Sequence, residues 1–172
     1  MIIGTLLTAL FLYLFLRQFG STLAVAIAMP TSIIATFIPM YFYKYTLNVM
    51  STMGLAISVG VLVNNAILVL ENIYRYRELG MDPLTAAEEG TREISLAVLS
   101  TTATNLGVFI PIAFMGGIVG QFFNQFALTV VFSTLFSLWG AFTVTPMAAA
   151  RLGGSVHVSP FAKKVTAWWY WI

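Results

Sequence analysis

Residues 50–70 read MSTMGLAISVGVLVNNAILVL, a run without a single charge that closes on Glu71. As a helix rising about 1.5 Å per residue, it crosses about 30 Å, the hydrocarbon thickness of a bilayer. It belongs to a longer charge-free stretch, 45–70, and three others exist, at 1–16, 18–43 and 94–150. These runs lack the alternation of a membrane barrel strand. Inside lipid, where the backbone must satisfy its own hydrogen bonds, they are helices. The fold class is therefore an all-α integral membrane protein, a polytopic helix bundle.

Composition agrees. Of 172 residues, 59% are hydrophobic and only 8% charged, and mean hydropathy is +0.91. A soluble domain carries about 25% charged residues, and fourteen charges cannot solvate this surface. Nine of the fourteen lie between Glu71 and Glu93. A soluble enzyme, a nucleic-acid binder and a disordered tail are excluded together. The net charge of +2 comes from a few membrane-flanking bases and does not point to nucleic acid as a partner. The absence of cysteine removes disulfides and thiolate metal sites. His157 is the only histidine and makes no metal site, and no cofactor is implied. Nothing has the spacing of a nucleophile triad, a zinc site or a phosphate loop, so the chain is not expected to be an enzyme.

About five spans are expected, at about 1–16, 21–43, 50–70, 95–115 and 123–148, within a transmembrane bundle over 1–152. Pro30 and Pro39 each remove a backbone donor inside the second span and predict kinks. The polar link 71–94 holds Asp82-Pro83, a helix N-cap followed by proline at the first helical position. A short amphipathic helix on the cytoplasmic surface, running into the next span, is expected there. Glu71 is expected to be solvated or paired with Arg75. Met115–Gly120 reads as a flexible outer link. Residues 153–172 open on Gly153-Gly154 and mix two lysines with three tryptophans, as an amphipathic helix in the inner interface does.

Basic residues orient such a protein. Arg17, Arg75, Arg77, Arg92, Arg151, Lys163 and Lys164 fall on one side of the five-span layout, and only Lys44 on the other. The N-terminus then lies outside the cytoplasm, and Tyr41-Phe42-Tyr43-Lys44-Tyr45 forms an outer interfacial belt. A first span that starts outside and is short by a turn, with a tail that stops within an interfacial helix, reads as an interior piece of something larger, and Met1 need not be a genuine start.

Polar groups at membrane depth are costly and are functional candidates by default. The adjacent pair Asn64-Asn65 stands out. Successive helical residues point about 100° apart, so Asn65 shares a face with Gly54, Ser58, Val61 and Asn72, and Asn64 lies with Gly60 and Glu71. Both amides serve equally as hydrogen-bonding glue between helices. Ser100, Thr101, Thr102, Thr104 and Asn105 make a second polar patch, whose hydroxyls are able to bond back to their own helix. Thr101, Asn105 and Ser58 are the polar candidates neighbouring the asparagine pair.

The string Gly54-Leu-Ala-Ile-Ser-Val-Gly60-Val-Leu-Val-Asn64-Asn65-Ala-Ile-Leu-Val-Leu-Glu71-Asn72-Ile resembles the fourth transmembrane helix of resistance–nodulation–division (RND) efflux permeases. The resemblance is to the hydrophobe/amphiphile exporters of acriflavine-resistance type (AcrB/AcrD/AcrF-like). It continues through Leu14-Phe-Leu-Arg17, Ala26-Ile-Ala-Met-Pro30, Phe109-Ile-Pro111-Ile-Ala-Phe-Met-Gly116-Gly117, Gln125-Phe-Ala-Leu-Thr129 and Thr143-Val-Thr145-Pro146. It implies a partial RND repeat: the second to sixth helices of the first of two repeats, lacking the large periplasmic domains. It further implies export of amphiphilic xenobiotics by a homotrimer in the bacterial inner membrane, with a periplasmic adaptor and an outer-membrane channel. In proton-driven members of the family, aspartates stand where this chain has Asn64 and Asn65. An amide has no titrating proton near neutral pH, so this pair cannot run that relay. Coupling through residues elsewhere, another ion, and a transport-inactive scaffold or assembly partner are the three accounts left open.

Overall fold

A computed structural model describes residues 10, 13 and 19–152 of the chain. The expected first span falls outside these residues apart from Leu10 and Tyr13, and the expected tail lies wholly outside them. Five helices follow in order: α1 (Phe19–Phe42), α2 (Val49–Glu78), α3 (Pro83–Ala113), α4 (Gly117–Phe142) and α5 (Val144–Leu152). Among the described residues, four segments are long and apolar enough to cross a membrane, the last of them running through α4 and α5. The protein is a multi-pass, all-α membrane protein.

The interior has the chemistry lipid demands. Its buried polar residues are uncharged and small, among them Ser32, Thr36, Ser58, Asn65, Thr102, Thr129, Ser133 and Ser137. Large apolar side chains such as Ile34, Ile38, Leu96, Val108 and Phe122 face outward. Hydrocarbon solvates leucine as well as a protein core does, so close backbone approach and polar contacts hold membrane helices together. α2, α4 and α5 each pack against all the other described helices, and the α2–α4 contact is the most extensive. A Cβ on Gly54 would stand 2.9 Å from the Phe126 carbonyl oxygen of α4, and a Cβ on Gly90 of α3 would stand 2.8 Å from the Ile73 Cα of α2. Around these crossings lies an apolar cluster of Val25, Met29, Leu62, Ala66, Val69, Leu70 and Ile73.

Helix boundaries follow local chemistry. α2 opens on a capping box in which the Ser51 amide donates to Asn48 Oδ1 at 3.0 Å and the Asn48 amide donates to Ser51 Oγ at 2.9 Å. It then runs past Glu71 to Glu78, because Ile73 and Tyr74 are buried against the helices around them. Asp82 caps α3, accepting from the amides of Leu84 and Thr85 at 3.2 Å each. The amphipathic link and the fourth expected span are one continuous helix, Pro83–Ala113. α1 is helical through both Pro30 and Pro39. The outer link shortens to a turn, since α4 starts at Gly117 with φ of 79°. The last expected span is interrupted at Thr143, where Pro146 lacks the amide that would bond to the Phe142 carbonyl. The Thr143 amide and hydroxyl both donate to the Trp139 carbonyl, at 3.1 and 2.6 Å.

The two ends of the bundle differ. At one end the α1–α2 loop, the end of α3 and the start of α4 are joined by neutral hydrogen bonds. Tyr45 donates to Asn124 Oδ1 at 2.7 Å, Asn124 Nδ2 donates to the Ala113 carbonyl at 2.6 Å, and Asn48 Nδ2 donates to Gln125 Oε1 at 2.7 Å. Tyr41, Phe42 and Tyr43 are exposed there, as is Lys44. At the other end Arg75 pairs with Glu93, and Asn72 Nδ2 donates to the Gly90 carbonyl at 2.6 Å. Arg75 thus engages Glu93 and Asn72 rather than Glu71, which stays exposed. The helical hairpin brings Glu93 across from α2, so a partner on another helix displaces the one expected at i+4.

Two outcomes test this account. Gly90→Ala must push α2 and α3 apart, at a cost of about 1–3 kcal/mol, whereas the Cβ of Gly107→Ala meets nothing within 4 Å. Unfolding titrations in mixed detergent should separate the two variants, and equal stabilities would contradict the crossing. The second concerns Asp82, whose carboxylate is held below its usual range by hydrogen bonds from the Thr85 side chain and amide. A carboxylate depressed in this way adds stability that is complete above its unfolded pKa and disappears as pH falls through its folded one. Asp82→Ala should therefore lower the melting temperature near neutral pH, with the gap to the native protein closing as pH falls below about 4. A gap unaffected by acidification would show that the cap does not depend on the charge.

Candidate functional site

Because α2 extends two turns beyond the expected span, Asn64 and Asn65 sit midway along it rather than two-thirds of the way. They are about 22 Å from either end at the helical rise. The two amides have opposite surroundings. Asn65 is 1% exposed, and Asn64 is on the open face. The division follows the helical wheel: Gly54, Ser58 and Asn65 are buried together, while Gly60, Asn64 and Glu71 are exposed.

Asn65 Nδ2 points to the Thr102 hydroxyl of α3 at 3.5 Å, the outer limit of a hydrogen bond. Thr102 is itself 2% exposed, so the contact joins α2 to α3 across the protein interior. Of the other polar candidates, Ser58 is buried and donates to the Gly54 carbonyl at 2.7 Å, within its own helix. Thr101 is exposed, and its hydroxyl donates back to the carbonyls of Ala97 at 3.2 Å and Val98 at 3.0 Å. Ser100 and Thr104 bond back in the same way, at 2.7 and 2.9 Å. Asn105 is half-buried, one turn beyond Thr102. The structure therefore joins Asn65 with Thr102, leaves Asn64 and Thr101 facing outward, and keeps Ser58 on its own backbone.

Further interior polarity comes from residues that the sequence reading did not single out. The hydroxyls of Ser133, Thr134 and Ser137 on α4 and of Thr145 on α5 are buried and have no hydrogen-bond partner among the described residues. Their signal was the four-residue spacing of Ser133 and Ser137 inside an otherwise apolar run. The amides of Asn48, Asn124 and Gln125 that fasten the outer end were likewise overlooked, since only their three-dimensional convergence distinguishes them.

The open face of Asn64 continues through Leu68 to Glu71. There it meets a cleft of about 470 Å³ bounded by Asn72, Arg75, Glu93 and Ile94. A mid-helix amide, a polar interior and a cleft at the charged end thus lie along one helix. Amides and hydroxyls donate and accept hydrogen bonds but exchange no proton in the physiological range. The arrangement can bind polar groups and position helices. It cannot carry a titrating proton on Asn64 or Asn65.

Comparison with known proteins fits this arrangement into a family. The family model described as AcrB/AcrD/AcrF matches residues 1–165. Multidrug resistance protein MdtC of Pantoea ananatis is 42% identical over 152 residues, 88% of this chain and 15% of that protein. MdtC of Pectobacterium atrosepticum is 43% identical over the same length and shares. MdtC of Escherichia coli O139:H28 is 44% identical over 147 residues, 86% of this chain and 14% of its own length. The chain thus spans about 15% of the length of these curated relatives. Matched by the family along nearly all of its residues, and folded as a helical bundle with a polar interior, the chain belongs to the AcrB/AcrD/AcrF family.

Proposed function

We propose that this chain is part of an RND-type permease that exports amphiphilic xenobiotics across the bacterial inner membrane by secondary active transport. The observation that carries the reading is the 42% identity to a multidrug resistance protein over 88% of the chain. In this reading residues 1–152 supply the second to sixth helices of the first repeat, and 153–172 supply an interfacial amphipathic helix. The remaining helices and the periplasmic domains come from the full-length protein, which works as a homotrimer with a periplasmic adaptor and an outer-membrane channel. Arg75, Arg77, Arg92 and Arg151 belong to one end of the bundle and Lys44 to the other. By the positive-inside rule the arginine end faces the cytoplasm.

Asn64 and Asn65 occupy the ion-coupling position. Asn65 braces α2 against α3 through Thr102, and Asn64 presents its amide to a polar partner in the other half of the permease, since a polar group at this depth requires one. The titrating groups of the coupling cycle lie elsewhere in the full-length protein. A second reading starts from the same pair: a transport-inactive scaffold or assembly partner that kept the fold after losing its carboxylates.

Efflux assays with the full-length permease separate these readings. A polar contact between membrane helices contributes about 1 kcal/mol, so Asn64→Ala or Asn65→Ala should reduce dye export by about fivefold. Export unchanged in both variants would remove the pair from the mechanism. Converting both asparagines to aspartate in proteoliposomes should add export driven by a pH gradient, and the scaffold reading requires that none appear.

A further inference from the structure

The buried hydroxyls of this bundle fall into two groups. Thr36, Ser58 and Thr129 each donate to the carbonyl four residues back, at 2.8, 2.7 and 2.7 Å, the usual outlet for a hydroxyl in a membrane helix. Ser133 and Ser137 of α4 do not. They are 0% and 3% exposed, and their oxygens have no hydrogen-bond partner among the described residues. At 100° per residue, Ser133, Ser137 and Gly140 fall within an arc of about 60° on α4. α1 crosses α4 at this face. The buried Ser32 hydroxyl reaches the Phe136 carbonyl only at 3.5 Å, the outer limit of a hydrogen bond. A Cβ on buried Gly140 would meet that hydroxyl at 3.2 Å and, beyond its chain neighbours and its own helix backbone, nothing else within 4 Å. At Gly54 and Gly90 the matching space is filled by backbone of the facing helix. The α1–α4 crossing is thus polar, sealed and loosely filled.

We propose that this face holds a buried water molecule, hydrogen-bonded to Ser133 and Ser137 of α4 and to Ser32 of α1. A buried hydroxyl left unpaired keeps its full desolvation penalty, and hydrocarbon offers no partner to relieve it. Size selects water. Residues four apart on a helix have Cβ atoms about 5–6 Å apart, and two O–H···O bonds of about 2.8 Å through one oxygen span about 4.5–5.5 Å. A buried water typically makes about three hydrogen bonds, which these three hydroxyls supply. Each of them both donates and accepts, so the protons and lone pairs of water are matched. Charge decides against an ion. The buried polar groups among the described residues are uncharged, so a cation here would lack a counter-charge. Closure decides against a protein segment. Oxygens that the chain itself seals from outside are beyond the reach of another helix unless the bundle opens.

The test uses the full-length protein. A cryo-electron microscopy map fine enough to show ordered water should have a peak within hydrogen-bond distance of both Ser133 Oγ and Ser137 Oγ, a readout that needs no variant. Thermal unfolding in detergent gives a second readout, whose sign decides. With water in place, Ser133→Ala and Ser137→Ala each take a partner from it and lower the melting temperature by more than Ser58→Ala, whose hydroxyl only bonds back to its own helix. Dry, unpaired hydroxyls give the opposite sign, because alanine then removes a penalty and the melting temperature rises. Such a rise overturns the proposal. So does a map in which both side chains have turned onto the Thr129 and Ser133 carbonyls with no peak between them. A melting temperature raised by sodium chloride and not by choline chloride overturns it as well, because a cation would then hold the site. Neither readout involves transport, so failure here leaves the export reading standing, and loss of export leaves the water site standing.

Discussion

In hydrocarbon, no hydrophobic force draws one apolar helix toward another, and helices stay together only where their backbones come close or their polar groups meet. The bundle answers to this constraint at each of its main crossings. α2 reaches α4 at Gly54, where the Phe126 carbonyl leaves no room for a methyl group, and reaches α3 at Gly90, where the Ile73 backbone does the same. Ser32 of α1 lies against α4, its hydroxyl 3.2 Å from where a Cβ on Gly140 would stand. Dispersion attraction accumulates over such contacts. Many large apolar side chains that a soluble protein would bury, such as Ile34, Ile38 and Phe122, are turned outward.

The same constraint distributes polarity along the bundle. Charged residues gather at one end, where water and headgroups solvate them, and Arg75, Glu93, Asn72 and Gly90 tie α2 to α3 there. Neutral amides tie the opposite end, with Asn124 linking Tyr45 to the Ala113 carbonyl. Between the ends the buried polar groups are uncharged, and Asn65 and Thr102 meet midway along α2. A carboxylate in place of Asn65 would pay a desolvation penalty that raises its pKa toward neutrality. An amide at that point is insensitive to pH.

Much of this was legible in the residues themselves. Charge-free runs marked the spans because an ionised side chain in hydrocarbon is expensive. Asp82-Pro83 marked the start of α3 because a side-chain acceptor and a missing amide suit a helix N-terminus. The 100° step between neighbours separated the face of Asn65 from that of Asn64. Other features were not legible. Nothing local distinguishes Glu71 from Glu93 as the partner of Arg75, since the choice depends on how the hairpin folds back. The extension of α2 to Glu78 was hidden because a change from apolar to charged composition marks the edge of the hydrocarbon rather than the end of a helix.

The sequence by itself determined the solvent in which this protein folds, its helical class, its family and the adjacent pair of amides on α2, because each depends on composition, motif or spacing within one helix. The tertiary structure alone decided that Thr102 rather than Thr101 faces Asn65, that Gly54 and Gly90 are crossing points while Gly60 and Gly107 are open, and that Arg92 and Arg151 border one apolar groove. These are relations between residues far apart in the chain, and they exist only once the rotation and crossing of each helix about its neighbours are set.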